Sequence, residues 1–310
     1  MILCCGDALV DMIPVPTQAG RDGFVPFPGG AVYNTAIALG RLGADAGMLT
    51  GLSRDMFGQM LEDGLHASGV DTSFIIRSDR PTTLAFVSLA GGQARYSFHD
   101  ENSAGRMLRP EHMSVLPDTV SVLFFGGISL ACEPCAEAYA ALLERSHEGR
   151  VIMIDPNIRP GFIKDAGAYR ARLERMMRLA DIVKFSDEDL EWFLPEPVSI
   201  REKAGRIAAL GPAIIVVTRG ANGATAFRKN GGDVTVPAVE TEVVDTVGAG
   251  DTFNAGVLAK LSELGCLHPE ALAALSEDVL AAALGHGASA AAVTVSRRGA
   301  NPPRTDELAP

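Results

Sequence analysis

Apolar residues fall along this chain in short unbroken runs separated by amphipathic stretches. Residues 2–6, Ile-Leu-Cys-Cys-Gly, form the first run, and runs at 120–127, 151–155, 182–185 and 213–218 repeat it. A run of this length that stops at glycine or a polar residue predicts a strand buried on both faces, as parallel strands are. Between the runs, 33–42, 56–67 and 133–145 carry apolar residues at helical spacing. The first two end at Gly43 and Gly69, the residue type that most often closes a helix. Strand and helix therefore alternate for most of the length. Alternation of this kind predicts an α/β fold: a parallel sheet with helices on both faces and functional residues collected along the edge where strands end. Asp7 and Asp11, just beyond the first run, fall at that edge.

Three segments depart from the alternation. Residues 12–28 are rich in Pro and Gly and contain Val15, Phe24, Val25 and Phe27, which reads as a hairpin. Residues 83–90 and 93–98, joined by Gly91-Gly92, form a clearer one. The Ala-rich segment 269–292 is helical in propensity and is predicted to break at Gly285 and Gly287. Neither an internal repeat nor a low-complexity linker occurs, so a single domain over 1–310 is expected.

Composition narrows the functions available. A chain of 310 residues suffices for one large α/β domain with a substantial core. With 27 basic against 38 acidic residues the net charge is −11, which disfavours a nucleic-acid partner, because phosphates are repelled where no basic patch gathers. Five cysteines, an odd count, argue against a disulfide framework. Cys132-Glu-Pro-Cys135 lacks the second pair or spaced histidines that would complete a tetrahedral metal site. The apolar start at residues 1–5 has no basic lead and meets Asp7 and Asp11 at once, so it does not read as a signal peptide. No apolar stretch reaches membrane-spanning length without a charge or turn residue, despite a 47% hydrophobic content. A cytoplasmic protein with a small-molecule substrate and no membrane partner is expected.

The densest chemistry lies at 245–256, Asp-Thr-Val-Gly-Ala-Gly-Asp-Thr-Phe-Asn-Ala-Gly. Gly248, Ala249 and Gly250 let the chain turn sharply and bare its amides, and Asp251 onward continues as a helix. A helix N-terminus leaves N–H groups unpaired and carries partial positive charge, so it receives phosphate oxygens. Asp251 fits that picture in one of two ways, as the base that takes a proton from an incoming hydroxyl or as a cap on its own helix. No Gly-Lys-Ser/Thr occurs, which excludes a P-loop, and Phe253 stands where a dinucleotide fingerprint needs a small residue. At 218–223, Thr-Arg-Gly-Ala-Asn-Gly closes a buried strand in small residues. That suits either a close approach to nucleotide phosphates and ribose or a tight hairpin turn.

Residues 245–253 resemble the C-terminal signature of the ribokinase/PfkB carbohydrate kinase family. Residues 29–43, Gly-Gly-Ala-Val-Tyr-Asn-Thr-Ala-Ile-Ala-Leu-Gly-Arg-Leu-Gly, are similar to its sugar-side signature, and the similarity runs from Gly6 to Ala300. Within the family, 28–34, 80–86, 101–104 and 155–159 are most similar to bacterial fructokinases. The resemblance implies a ribokinase-like three-layer sandwich, with a mostly parallel central sheet and a small β-lid from strands within 12–28 and 82–100. It implies an ATP-dependent sugar kinase, in the first place a fructokinase making fructose 6-phosphate, with 2-keto-3-deoxygluconate kinase as the alternative inside the family. Ribokinase is disfavoured because 125–128, Phe-Gly-Gly-Ile, lacks the acidic residue of pentose-specific relatives. A noncatalytic sugar or nucleotide sensor is the alternative of another class, and the retained Asp251, Gly248 and Gly250 count against it.

Carried over residue by residue, the resemblance makes Asp251 the base and the amides of Ala249, Gly250 and Asp251, behind Gly248, an anion hole. Asp11, Gly29, Gly30, Asn34, Phe98 and Arg159 fall on the sugar side. Asn34 at a helix start has a cap as its lesser alternative, and Arg159 fits either a sugar or the carboxylate of a keto acid. Lys184, Ser186, Thr218, Gly220, Gly223, Gly248, Gly250, Ala283 and Ala288 fall around ATP. Mg²⁺ is implied through indirect contact with Asp189, Ser186 and Asp189 standing where the family has Asn and Glu. K⁺ is implied beside the anion hole, near Asp245 and the carbonyls of Val247, Arg297 and Gly299, although Pro303 replaces a Ser of some relatives. Phe86, Tyr96 and Phe98 on the lid predict a homodimer.

Overall fold

The computed structural model describes residues 1–18, 20–90, 93–229 and 231–308, the side chains of residues 22, 89, 90 and 93–96 excepted. Its strands are β1 (Ile2–Cys5), β2 (Leu9–Pro16), β3 (Asp22–Gly29), β4 (Ala46–Leu49), β5 (Gly51–Ser53), β6 (Ile76–Ser78), β7 (Leu84–Ala90), β8 (Gln93–His99), β9 (Val122–Gly126), β10 (Val151–Asp155), β11 (Ile182–Ser186), β12 (Ile214–Thr218), β13 (Ala224–Arg228) and β14 (Asp233–Val236). Its helices are α1 (Ala31–Arg41), α2 (Met56–Ala67), α3 (Cys135–Ser146), α4 (Ala166–Met177), α5 (Asp187–Phe193), α6 (Ile200–Ala208), α7 (Ala249–Glu263), α8 (Pro269–Ala273) and α9 (Glu277–Val295).

Eight strands form the central sheet in the order β14-β13-β12-β11-β10-β9-β1-β4. Neighbours from β4 to β12 are parallel, and β13 and β14 add an antiparallel edge. Alternate residues of each apolar run go to opposite faces, as the two-residue period of a strand requires. Ile2, Cys4, Val122, Phe124, Met153, Ile182 and Val216 pack with residues of α1, α2, α7 and α9. Leu3, Cys5, Leu123, Phe125, Ile154, Val183 and Val217 pack with residues of α3, α4, α5 and α6. Both faces are covered, which is why these strands read as unbroken apolar runs. The result is the predicted three-layer α/β arrangement with a mostly parallel sheet.

A smaller sheet, β3-β2-β7-β8, takes in the two segments predicted as hairpins. Only residues 6–8 separate β1 from β2, so it springs from the C-terminal edge of the central sheet. The Gly91-Gly92 turn and the Tyr96 side chain lie outside the described residues.

The predicted break at Gly285 and Gly287 is absent. Helix α9 runs through both, and the interruption falls earlier, at 274–276, where the Ser276 side chain accepts from the Val279 amide and starts a new helix. Glycine costs a helix interior only about 1 kcal/mol. Here it permits a close crossing, because a β-carbon on Gly256 of α7 would lie 2.7 Å from Gly287 Cα. Unbroken over 19 residues, α9 is long and apolar enough to cross a membrane by length and composition, contrary to the interruption expected from sequence. It packs along α7 and β14.

Candidate active site

A cleft of about 1660 Å³ opens at the C-terminal ends of the central strands. Single-ligand sites occupy about 300–1000 Å³, so this one has room for two. Phe98 and Ser97 of the smaller sheet line one part of it and residues 237–241 another.

Asp251 lies in the first turn of α7 and is 6% exposed. The turn before it is closed to other residues at Gly248, which has φ 79° and whose β-carbon would sit 2.7 Å from Ala300 Cβ. Asp251 does not cap its helix. Asn34 Nδ2 donates to its Oδ2 at 2.9 Å and Asn157 Nδ2 to its Oδ1 at 3.3 Å. Asn34 is not a cap either, since Gly30 holds the N-cap position of α1 and the Ala31 amide donates to Asp7 Oδ2 instead. Burial pushes the Asp251 carboxyl up to about 7 against the pull of the Asn34 bond; Asp155 adds to the rise and Lys184 opposes it.

The expected anion hole is narrower than the sequence implied. The Ala249 amide already donates to the Thr246 carbonyl at 3.3 Å, whereas among the described residues no acceptor meets the amides of Gly250 and Asp251. The helix start thus leaves two donors free.

Behind Asp251 stands a group of buried polar residues in which Lys184, expected near ATP, is tied to two residues that sequence reasoning passed over, Asp155 and Asn254. Lys184 Nζ donates to Asp155 Oδ2 at 2.9 Å, and Asn254 Nδ2 donates to the same oxygen at 2.7 Å. A signal was present: Lys184 interrupts the apolar register of β11. Asn157 was not singled out from sequence, yet it holds Asp251.

Toward the smaller sheet the wall is acidic. Asp7, Asp11, Asp100 and Glu101 all line it, with burial raising Asp7 and Asp11 to about 6 each. Arg106 Nη1 donates to Asp100 at 2.7 Å, and its Nε to the Glu133 carbonyl at 3.0 Å. Arg159 is exposed on the same wall, its Nη1 donating to the Ile158 carbonyl at 3.1 Å. Gly30 and Phe98 line the cleft as expected. Gly29 does not; it lies under Asp11, where its β-carbon would come 2.3 Å from Asp11 Oδ2.

At the other end Thr218, Gly220 and Gly223 line the cleft, and residues 219–223 turn β12 antiparallel into β13, so the hairpin reading of 218–223 holds. Ala288 lines it with Ala291, Ala292 and Val295. Ala283 does not: one and a half turns earlier on α9, it is fully buried in the core and is no part of the wall. Ser186 and Asp189 reach the cleft, but Asp189 Oδ1 accepts from the Ile158 amide at 2.9 Å and Ser186 Oγ from the Asp189 amide at 3.0 Å. Ser186 at the end of β11 therefore caps α5, and Asp189 fastens that helix to the segment after β10.

Asp245 joins the two loops expected around a monovalent cation. Its Oδ1 accepts from the Val247 amide at 3.0 Å and its Oδ2 from the Gly299 amide at 2.9 Å. Of the four residues expected there, only Val247 lines the cleft. The Arg297 side chain pairs with Glu307.

Residues 1–307 match the pfkB family carbohydrate kinases. A fructokinase of Rhizobium leguminosarum bv. trifolii is 49% identical over 284 residues, 90% of this chain and 85% of that one. Among solved structures, the fructokinase of Xylella fastidiosa with bound ATP is 28% identical with a TM-score of 0.87, covering 96% of this chain and 93% of that one. A double mutant of the Vibrio cholerae O395 fructokinase, in a form with fructose, ADP and potassium ion bound, is 27% identical with a TM-score of 0.83 over 96% of this chain and 93% of that one. The fold is ribokinase-like, and the chain belongs to the pfkB family of carbohydrate kinases, enzymes that transfer a phosphoryl group to a sugar.

Proposed function

We propose that this enzyme is a fructokinase that takes ATP as donor and D-fructose as acceptor, with Asp251 as base. One observation carries the reading: a buried carboxylate, steadied by two amide side chains, adjoins two unpaired backbone N–H groups at a helix start. Fructose O6 attacks the γ-phosphorus and gives its proton to Asp251. The bond from that phosphorus to the β,γ-bridging oxygen breaks, and ADP leaves with the electron pair. The Gly250 and Asp251 amides and the α7 dipole stabilise the charge that develops on the phosphoryl oxygens.

The acidic wall favours a neutral sugar over 2-keto-3-deoxygluconate. Arg106 is already neutralised by Asp100, so Arg159 and Lys164 would face a substrate carboxylate among Asp7, Asp11 and Glu101. Asp11 and Asn34 offer acceptors and donors for sugar hydroxyls, and Phe98 with the smaller sheet closes over them as a lid that excludes water. Among the described residues no group of three His, Cys, Asp or Glu side chains gathers as a metal cage. The oxygens of Ser186, Glu188 and Asp189 suit a Mg²⁺ that enters with the nucleotide phosphates and screens their charge. Loops tied by Asp245 support a K⁺ site. Phe24 and Phe27, 46% and 49% exposed on β3, support a homodimer through the smaller sheet; a light-scattering mass of one chain would count against it.

The test is ADP release from MgATP with fructose, 2-keto-3-deoxygluconate, ribose, adenosine or no acceptor. Fructose is expected to give the highest kcat/KM by about 100-fold or more, because a buried polar site left unpaired by the wrong substrate penalises it heavily. Preference for the keto acid would reassign the substrate, and turnover of none of them would favour a sensor.

A further inference from the structure

The acidic wall holds an arginine whose partners do not exhaust it. Arg106 Nη1 donates to Asp100 and Nε to the Glu133 carbonyl, while among the described residues no acceptor meets Nη2. The two side chains of the pair are 17% and 9% exposed. Held from two sides, the guanidinium is a fixed planar fork, and Asp100 cancels its charge. What remains is a directed donor without net charge. Asp7 is its complement: Oδ2 accepts from the Ala31 amide, but Oδ1 is buried with no partner among the described residues.

A side chamber of about 30 Å³ adjoins the cleft here. Asp7, Asp100, Arg106 and Cys132 line both, whereas Ser129 and Tyr139 line the chamber alone. It admits about two water-sized groups. An open donor and an open acceptor on one wall call for a group that both gives and takes a hydrogen bond, which is a hydroxyl. Strand order says which one. Asp251 is held by Asn157, after β10, whereas Asp7 follows β1 and Glu133 lies between β9 and α3. Because β9 separates β10 from β1, the ends of those two strands lie about 10 Å apart, two inter-strand spacings. A hexose reaching from one to the other has its transferring end at Asp251 and its opposite end at the chamber. In the furanose ring of D-fructose, the group opposite C6 is the C1 hydroxymethyl.

We propose that the chamber is a subsite for the C1 hydroxymethyl of a ketohexose, with Arg106 Nη2 donating to its oxygen, that hydroxyl donating to Asp7 Oδ1, and Asp100 as the positioning residue that holds Arg106. Such a subsite presupposes D-fructose as acceptor and adds the group by which a ketose is told from ribose, whose anomeric carbon carries no hydroxymethyl. No bond is made or broken at this end of the sugar. The neutralised guanidinium suits a hydroxyl and gives a carboxylate little, in keeping with a neutral substrate.

The experiment measures kcat/KM for D-fructose and for 1-deoxy-D-fructose in the parent enzyme, in Arg106→Met and in the double variant Asp100→Asn/Arg106→Met. In the parent the missing oxygen is expected to cost about 100-fold, because it leaves a donor and an acceptor unpaired. In Arg106→Met the value for fructose is expected to fall about 30-fold or more, mostly through KM, and that for the deoxy sugar less than about threefold, so the ratio drops below about tenfold. Damage to the packing of the wall would lower both sugars alike. The double variant, with no unpaired buried charge, is expected to fold and to show the same collapsed ratio should the single variant not fold. Asp100→Asn alone leaves Arg106 its charge, so competitive inhibition by 2-keto-3-deoxygluconate is expected to tighten about tenfold; unchanged inhibition would remove Asp100 from the subsite. A parent that turns over fructose but treats the two sugars alike, or Arg106 variants that keep the parent's ratio, would overturn the subsite and leave the substrate reading standing. A parent that turns over no fructose would overturn both.

Discussion

Toward the smaller sheet, the wall of the cleft is made of charged and amide side chains that fix one another, Asp7 on the α1 amide, Asp100 on Arg106, Asn34 and Asn157 on Asp251. Toward 218–223 and α9 it is made of glycine backbone, alanines and valines, with Val239 and Val243 46% and 62% exposed. The first kind of wall discriminates, because a substrate that misplaces one hydroxyl leaves a buried polar group unpaired. The second kind accommodates, since backbone amides and apolar area accept a flat base and a phosphate chain without a unique side-chain partner. Asp251 and the amides of Gly250 and Asp251 lie at the junction.

Substitutions at the junction and at each end should separate these roles. Asp251→Ala is expected to lower kcat about 1000-fold or more while ATP binding, measured by calorimetry, stays within about threefold. Near-normal turnover would remove the base from the account. Asp11→Asn is expected to raise the KM for fructose by about 10- to 100-fold, the worth of one charge-assisted hydrogen bond, and to leave the KM for ATP alone. An equal rise in both would erase the distinction between the ends. Val243→Ser, on the accommodating wall, is expected to raise the KM for ATP only about threefold, in proportion to the small apolar area lost, with the fructose KM unmoved.

The same division decides what could be read from sequence. Strands buried on both faces announce themselves as apolar runs, so the sheet and its covering helices were legible, and the glycine turn with Asp251 was legible because backbone demands restrict residue type. Whether Asp251 caps or accepts was not legible: that depends on Asn34, 217 positions away, meeting its carboxylate. Pairings such as Asp100 with Arg106 and Asp155 with Lys184 likewise arise from where strands end. Gly287 read as a helix break because sequence registers its propensity and not the neighbouring Gly256 that makes it useful. Ala283 read as a nucleotide contact because identity was carried over without the helix rotation that turns it into the core.

The most direct test of Asp251 as a buried base is the pH dependence of kcat/KM for fructose. A carboxyl pushed up to about 7 must lose its proton before it can accept one, so kcat/KM should rise about tenfold per pH unit below that value and level off above it. Asp251→Asn should leave a residual rate without that step. A profile flat from about pH 5.5 to about 8.5, or one whose rise persists in Asp251→Asn, would contradict the assignment.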